Sequence, residues 1–124
     1  MKDTRIHLAQ ILECLDRIRE YTTGGKSVFD ADPMVRDAVI RNFEIIGEAA
    51  KRVPQEFRDR YPMIPWRGLS GFRDILVHQY EGIDYEEVWR IIDRDVLPIR
   101  EAVERALPPL DQLEREMNGD SAPD

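Results

Sequence analysis

Cysteine is nearly absent. Cys14 is the only one in 124 residues, which excludes an internal disulfide framework and a cysteine-built zinc site. Long apolar runs are missing too: the chain opens on the polar segment MKDTR, and no later stretch approaches the length of a membrane span. A soluble, cytoplasmic protein with no membrane partner is expected. There is no Walker A loop, no G-x-G-x-x-G, no H-E-x-x-H and no G-x-S-x-G. Kinase, dehydrogenase, zinc-protease and serine-hydrolase readings are therefore disfavoured, and no metal and no cofactor is expected. An overall basic balance is also missing: the net charge of −7 argues against a general nucleic-acid coat protein.

What is present is one domain's worth of chain, 42% hydrophobic and 35% charged, enough for a proper core under a heavily charged surface. The charge is unevenly spread. Residues 1–50 balance to −2 and residues 81–124 to −8, whereas residues 51–80 carry +3 from Lys51, Arg52, Arg58, Arg60, Arg67 and Arg73. A local site for a phosphate-bearing partner fits that segment, with Lys51, Arg52 and Arg67 as contact candidates. Arginines scattered on a solvated face fit it as well.

Apolar spacing of three and four residues predicts helices throughout. A first helix over residues 2–21 carries Thr4, His7, Leu8, Ile11, Leu15 and Ile18 on one stripe, and Gly24 and Gly25 end it in a flexible link. His7 lies inside the stripe and reads as a satisfied core or interface histidine, and Cys14 near it as buried filler. Asp32 as N-cap and Pro33 at the first helical position open a second helix, whose stripe runs through Val35, Val39, Phe43, Ile46, Ala50 and Val53 to a stop at Pro54. Glu44 and Glu48 form an ion-pair ladder with nearby arginines rather than a metal or acid–base pair. Residues 54–65 read as a proline-punctuated linker pinned by Phe57, Tyr61 and Ile64. A third helix starts near Pro65 and Trp66 and ends at Gly82. Its small residues Gly68, Ser70 and Gly71 suit the close approach of another backbone. Asp84 opens a fourth helix that reaches Leu107, bent at Pro98. The expectation is an all-α antiparallel bundle of four to five helices over residues 1–107. Residues 108–124 form an acidic, partly disordered extension.

The third helix carries the sequence's chemistry, in GFRDILVHQY at residues 71–80. Asp74 and His78 are four apart and share a helical face, so the carboxylate is placed to orient the ring. Arg73 lies five residues from His78, about 140° around the axis and roughly 7–8 Å along it. Either the arginine stem curls back or a second copy of the helix completes the pair. An arginine with a titratable histidine suits phosphate chemistry, one stabilising oxyanion charge and the other moving a proton. The plainer account is a charged, solvated helix face.

Three blocks carry a family resemblance: the opening helix ending in YTTGG at residues 21–25, AVIRNFEIIGEAAKR at residues 38–52, and IPWR at residues 64–67 leading into FRDILVHQY. Together they resemble the HepT-like branch of the HEPN superfamily, small helical proteins often encoded beside a minimal nucleotidyltransferase (MNT). The family signature R-x-x-x-x-H-x-Y falls on Arg73, His78 and Tyr80. The resemblance implies a homodimer with a composite site where two motif helices meet. It also implies metal-independent endoribonuclease activity, as the toxin of a toxin–antitoxin pair. His78 would then move the proton, Arg73 stabilise the phosphorane and Asp74 orient His78. The implied partners are RNA and an MNT antitoxin that transfers AMP to Tyr80. Two other readings stay open: a non-catalytic subunit that binds nucleotide or substrate for a nucleotidyltransferase, and a plain helical dimerisation module.

Overall fold

The computed structural model describes residues 4–77 and 82–107, the side chains of residues 73–77 excepted. Every regular element among them is helical: α1 (Thr4–Tyr21), α2 (Lys26–Ala31), α3 (Pro33–Lys51), α4 (Gln55–Arg60), α5 (Trp66–Val77), α6 (Tyr85–Arg94) and α7 (Val96–Ala106). This is the expected all-α, HEPN-like architecture. The described residues form seven helices where four or five were expected.

The core lies where α1, α3 and α5 pack side by side, with α7 closing over α1. From α1 it takes Leu8, Ile11, Cys14, Leu15 and Ile18, and from α3 Val39, Phe43, Ile46 and Ala50. Those are the stripes that helical spacing picked out. Asp32 caps α3 as its residue type predicts, accepting a hydrogen bond from the Met34 N–H at 2.9 Å. Arg100 on α7 ties to Asp16 on α1 at 2.5 Å. No helix among the described residues is long and apolar enough to cross a membrane.

Three departures from the expected layout have plain causes. The flexible link after α1 is instead a hairpin into the short helix α2. Thr22 donates its hydroxyl to the Ile18 carbonyl at 2.7 Å, and Gly25 turns the chain at φ +85°. A Cβ on Gly24 would lie 2.4 Å from Val28 Cγ2, so only glycine fits that approach. Phe29 of α2 is fully buried against Trp89 of α6, ring centroids 5.5 Å apart.

Residues 54–65 are likewise no plain linker. Pro54 precedes the single short helix α4. Ile64 is buried and Phe57 and Tyr61 half-buried, as anchoring residues should be.

The helix expected over residues 84–107 is two helices, broken at Asp95. Pro98 lacks the N–H that would bond the Arg94 carbonyl, and its ring crowds that oxygen. The break puts Pro98 in the first turn of α7, where a missing donor is harmless. Asp84 does cap α6, accepting from the Glu87 N–H at 3.2 Å. The Glu87 carboxylate pairs with Arg90 at 2.7 Å.

Candidate active site

Helix α5 is aimed by the turn before it. Arg58 of α4 donates to the carbonyls of Ala50 and Val53 at 2.7 and 2.9 Å, covering the open C-terminus of α3. The Trp66 indole N–H then donates to the Tyr61 carbonyl at 3.0 Å, and Leu69 is fully buried. Phe72 meets Phe43 of α3 with ring centroids 5.0 Å apart. So α5 starts at the C-terminal end of α3 and runs back antiparallel along it, bringing residue 73 level with the middle of α3.

Helical register sorts the motif residues. Arg73 falls at the register of Trp66 and Leu69, the face turned to the core. Asp74 falls at the register of Arg67 and Gly71. That second face is open among the described residues: Arg67 is exposed, and a Cβ on Gly71 would meet nothing within 4 Å. Gly68 also approaches no other backbone, its nearest neighbour being Pro65 Cβ at 3.9 Å. The close approach expected at these small residues is therefore not made within one chain. His78 and Tyr80, and with them the Asp74–His78 pairing, lie outside the described residues, as does the extension over residues 108–124. For Arg73 and Asp74 the structure gives the backbone on α5.

The basic candidates gather elsewhere on the same helix pair. Lys51 and Arg52 close α3 and Arg67 opens α5, so all three are exposed at one end of the α3–α5 pair. Residue 73 lies six positions beyond Arg67, about 9 Å along the axis. The structure thus groups Lys51, Arg52 and Arg67 with each other and sets them apart from the motif. Arg52 also pairs with Glu48 at 3.5 Å, and Arg41 with Glu44 at 3.4 Å. The two glutamates are the surface ladder expected of them.

Two histidine and cysteine readings are settled by burial. His7 is buried and has a partner, as a core histidine should. Cys14 is 1% exposed, and burial pushes its thiol up to about 11, far from reactive. Among the described residues no group of His, Cys, Asp or Glu is arranged to hold a metal ion.

One polar residue near the site escaped the sequence reading. Asn42 adjoins Phe43 and is only 6% exposed; its amide donates to the Ala38 carbonyl at 2.8 Å, while its Oδ1 is buried without a partner among the described residues. The Ser70 hydroxyl on α5 is in the same condition. An unpaired buried polar atom costs about 1–3 kcal/mol, and both of these lie on the helix pair that carries the start of the motif. The available signal was an amide among the apolar residues of the α3 stripe.

An all-α bundle in which R-x-x-x-x-H-x-Y begins at Arg73 on α5 matches the pattern of a HEPN-like domain. The family model described as "Ribonuclease HepT-like" matches residues 11–106. The chain belongs to that family. Among its relatives, "Putative RNase MJ1380" of Methanocaldococcus jannaschii is 40% identical over 104 residues, which span 83% of this chain and 95% of the relative. "Probable ribonuclease HepT" of Thermococcus cleftensis is 36% identical over 100 residues, spanning 80% and 91%. "Gamma-glutamylcyclotransferase and putative RNase MJ0434" of M. jannaschii is 39% identical over 112 residues, covering 90% of this chain but only 50% of that longer protein. No solved structure matches the chain significantly.

Proposed function

We propose that the protein is a metal-independent endoribonuclease, the toxin of a HepT/MNT-type pair. The observation that carries this reading is the match to ribonuclease HepT-like proteins across residues 11–106, a span that includes all of α5 and the signature beyond it. In the proposed reaction His78 takes the proton from a ribose 2′-hydroxyl, whose oxygen attacks the adjacent phosphorus. The bond from phosphorus to the 5′-oxygen breaks, and that oxygen takes a proton from water to leave as a 5′-hydroxyl. The other product end is a 2′,3′-cyclic phosphate. Arg73 stabilises the charge on the phosphorane oxygens and Asp74 orients the imidazole. Because the nucleophile is the 2′-hydroxyl, DNA is not cut.

The composite site needs two chains. Arg73 and His78 stand about 140° apart on a helix, so two motif helices meeting across a homodimer bring the pair together better than one. The open register around Gly71 supports this reading, since a second α5 has room to approach there. AMP added to Tyr80 by an MNT nucleotidyltransferase places a phosphodiester charge and bulk at the site, which repels an RNA backbone and silences the enzyme.

The test is incubation of purified protein with a structured RNA in EDTA beside a His78→Ala control, followed by analysis of product ends. Cleavage by wild type alone, leaving cyclic phosphate ends, is expected. Intact RNA after treatment with unmodified, dimeric protein would refute the ribonuclease reading and favour a nucleotide-binding subunit of a nucleotidyltransferase.

A further inference from the structure

The corner formed by the end of α3, α4 and the first turn of α5 is built in a way its charge alone does not require. Four of its residues form one cluster of rings and a cation. The Arg60 guanidinium carbon lies 5.3 Å from the centre of the Phe57 ring. Phe57 in turn leans on Tyr61, centroids 4.8 Å apart at 31°, and meets the edge of Trp66 at 6.4 Å and 82°. The hydrogen bond from Trp66 to the Tyr61 carbonyl and those from Arg58 to the end of α3 fix this platform at both sides.

Arg58 is thus committed inward, and Arg60 is presented outward and exposed. Six arginines of this chain, Arg17, Arg41, Arg52, Arg90, Arg100 and Arg105, each pair with Asp or Glu. Arg60 and Arg67 have no ion pair among the described residues. Of the two acids in the corner, Asp59 is engaged by Gln55 at 2.7 Å, leaving Glu56 in the first turn of α4. In a chain of net charge −7, residues 51–67 carry +3.

We propose that this corner is a contact for single-stranded RNA, Arg60 gripping a phosphate and offering its planar face to a base, with Arg67 at the start of α5 as a second cation. The proposal rests on the ribonuclease reading and gives that enzyme a second grip on its substrate, outside the motif. A guanidinium placed over an aromatic ring suits this: its N–H groups can bond a phosphate while its outer side can meet a base. RNA is favoured over an acidic protein because the feature sets an exposed guanidinium over an aromatic ring, pairing charge with a planar group as sites that track single strands do. From Arg67 to residue 73 is about 9 Å along α5. At the roughly 3.4 Å rise of a stacked strand that is about three nucleotides. A strand of that length covers the axial distance from Arg67 to the motif.

The experiment measures fluorescence anisotropy with a labelled single-stranded 12-mer bearing 2′-O-methyl groups, which the enzyme cannot cut, at 50 to 200 mM salt. Cleavage of the unmodified 12-mer is followed in parallel. Wild type is compared with Arg60→Ala, Arg60→Lys and Arg60→Glu. Arg94→Glu makes the same charge change as the last of these on α6, which packs against α2 and α7. Melting temperatures confirm that each variant folds.

Arg60→Ala should weaken binding about 5–10-fold, as loss of one stacking and phosphate contact does. It should also flatten the slope of log K against log salt by about 0.7. Arg60→Lys should keep the wild-type slope but lose part of the affinity, since lysine retains the charge without the plane. Arg60→Glu should weaken binding furthest and lower kcat/KM by a similar factor, while Arg94→Glu stays within twofold of wild type.

Cleavage by wild type together with unchanged binding and kcat/KM in Arg60→Glu would overturn the proposal, leave the ribonuclease standing and assign the corner to a protein partner. Equal weakening by Arg94→Glu would overturn it too, since the effect would then be net charge. Wild type that neither binds nor cuts the RNA would remove the ribonuclease reading and this contact with it.

Discussion

The thiol of Cys14 sits on the inner face of α1 between Ile11 and Ile18, both fully buried. Desolvation raises it to about 11, against a smaller lowering by Arg17 and a small further rise from Glu13. A thiol that titrates near 9 when unfolded and near 11 when folded holds its proton more tightly in the native state. Its contribution to stability is therefore complete below pH 9 and is lost as pH rises through 11. The loss at pH 11 comes to about 2 kcal/mol at 1.36 kcal/mol per unit. Urea denaturation of wild type and Cys14→Ala from pH 8 to 11 should show it. The alanine variant should start lower at pH 8, because it leaves a small cavity, and the gap should narrow by about 2 kcal/mol by pH 11. Parallel curves for the two proteins would mean that the thiol is not desolvated in the folded state.

Pro98 shows how one residue sets the shape of an element without deciding it alone. Its missing N–H removes the bond to the Arg94 carbonyl, yet the break at Asp95 also serves packing. α6 must reach α2, where Trp89 meets Phe29, while α7 must lie on α1 with Val96, Ile99 and Val103 buried and Arg100 on Asp16. A straight helix over residues 85–106 cannot satisfy both. Pro98→Ala should therefore keep the bend and the helical circular dichroism. It should lose about 0.4–1 kcal/mol, because the unfolded chain gains freedom. A stronger signal at 222 nm with raised stability would show instead that proline imposes the break against the packing.

The same comparison explains what could be read from the letters. The two long helices were legible because each carries four or more apolar turns and α3 has a capping aspartate, an opening proline and a closing proline. The six-residue helices α2 and α4 were not, since fewer than two turns give no period to detect. That omission hid a site. Phe57, Arg60 and Tyr61 are related as i, i+3 and i+4 only once residues 55–60 are helical; in a linker that spacing means nothing. The break at Asp95 was missed for a different reason, because it follows from where α2 and α1 stand. The motif on α5 was visible as residue types, and its inward and outward registers followed once α5 was seen to start at Trp66.

At the scale of the whole molecule, one chain is an incomplete enzyme under the proposed reading. The described residues close a core, but they leave the α5 face at Arg67 and Gly71 open, and a spacing of five sets Arg73 and His78 about 140° apart on an ideal helix. A composite site makes a strong prediction about mixtures. Arg73→Ala and His78→Ala should each be inactive as homodimers. Unfolded together and refolded at equal ratio, half of the dimers should be mixed. Each mixed dimer contains one site with arginine from one chain and histidine from the other, and a second site with neither. Activity should therefore return to roughly a quarter of wild type, as random pairing of two-fold symmetric subunits requires. Recovery should fail on refolding the two variants apart and mixing them afterwards without subunit exchange. If co-refolded dimers stay inactive while light scattering confirms that they have formed, Arg73 and His78 of a single chain make the site, and the arginine stem must curl along its own helix to reach the ring.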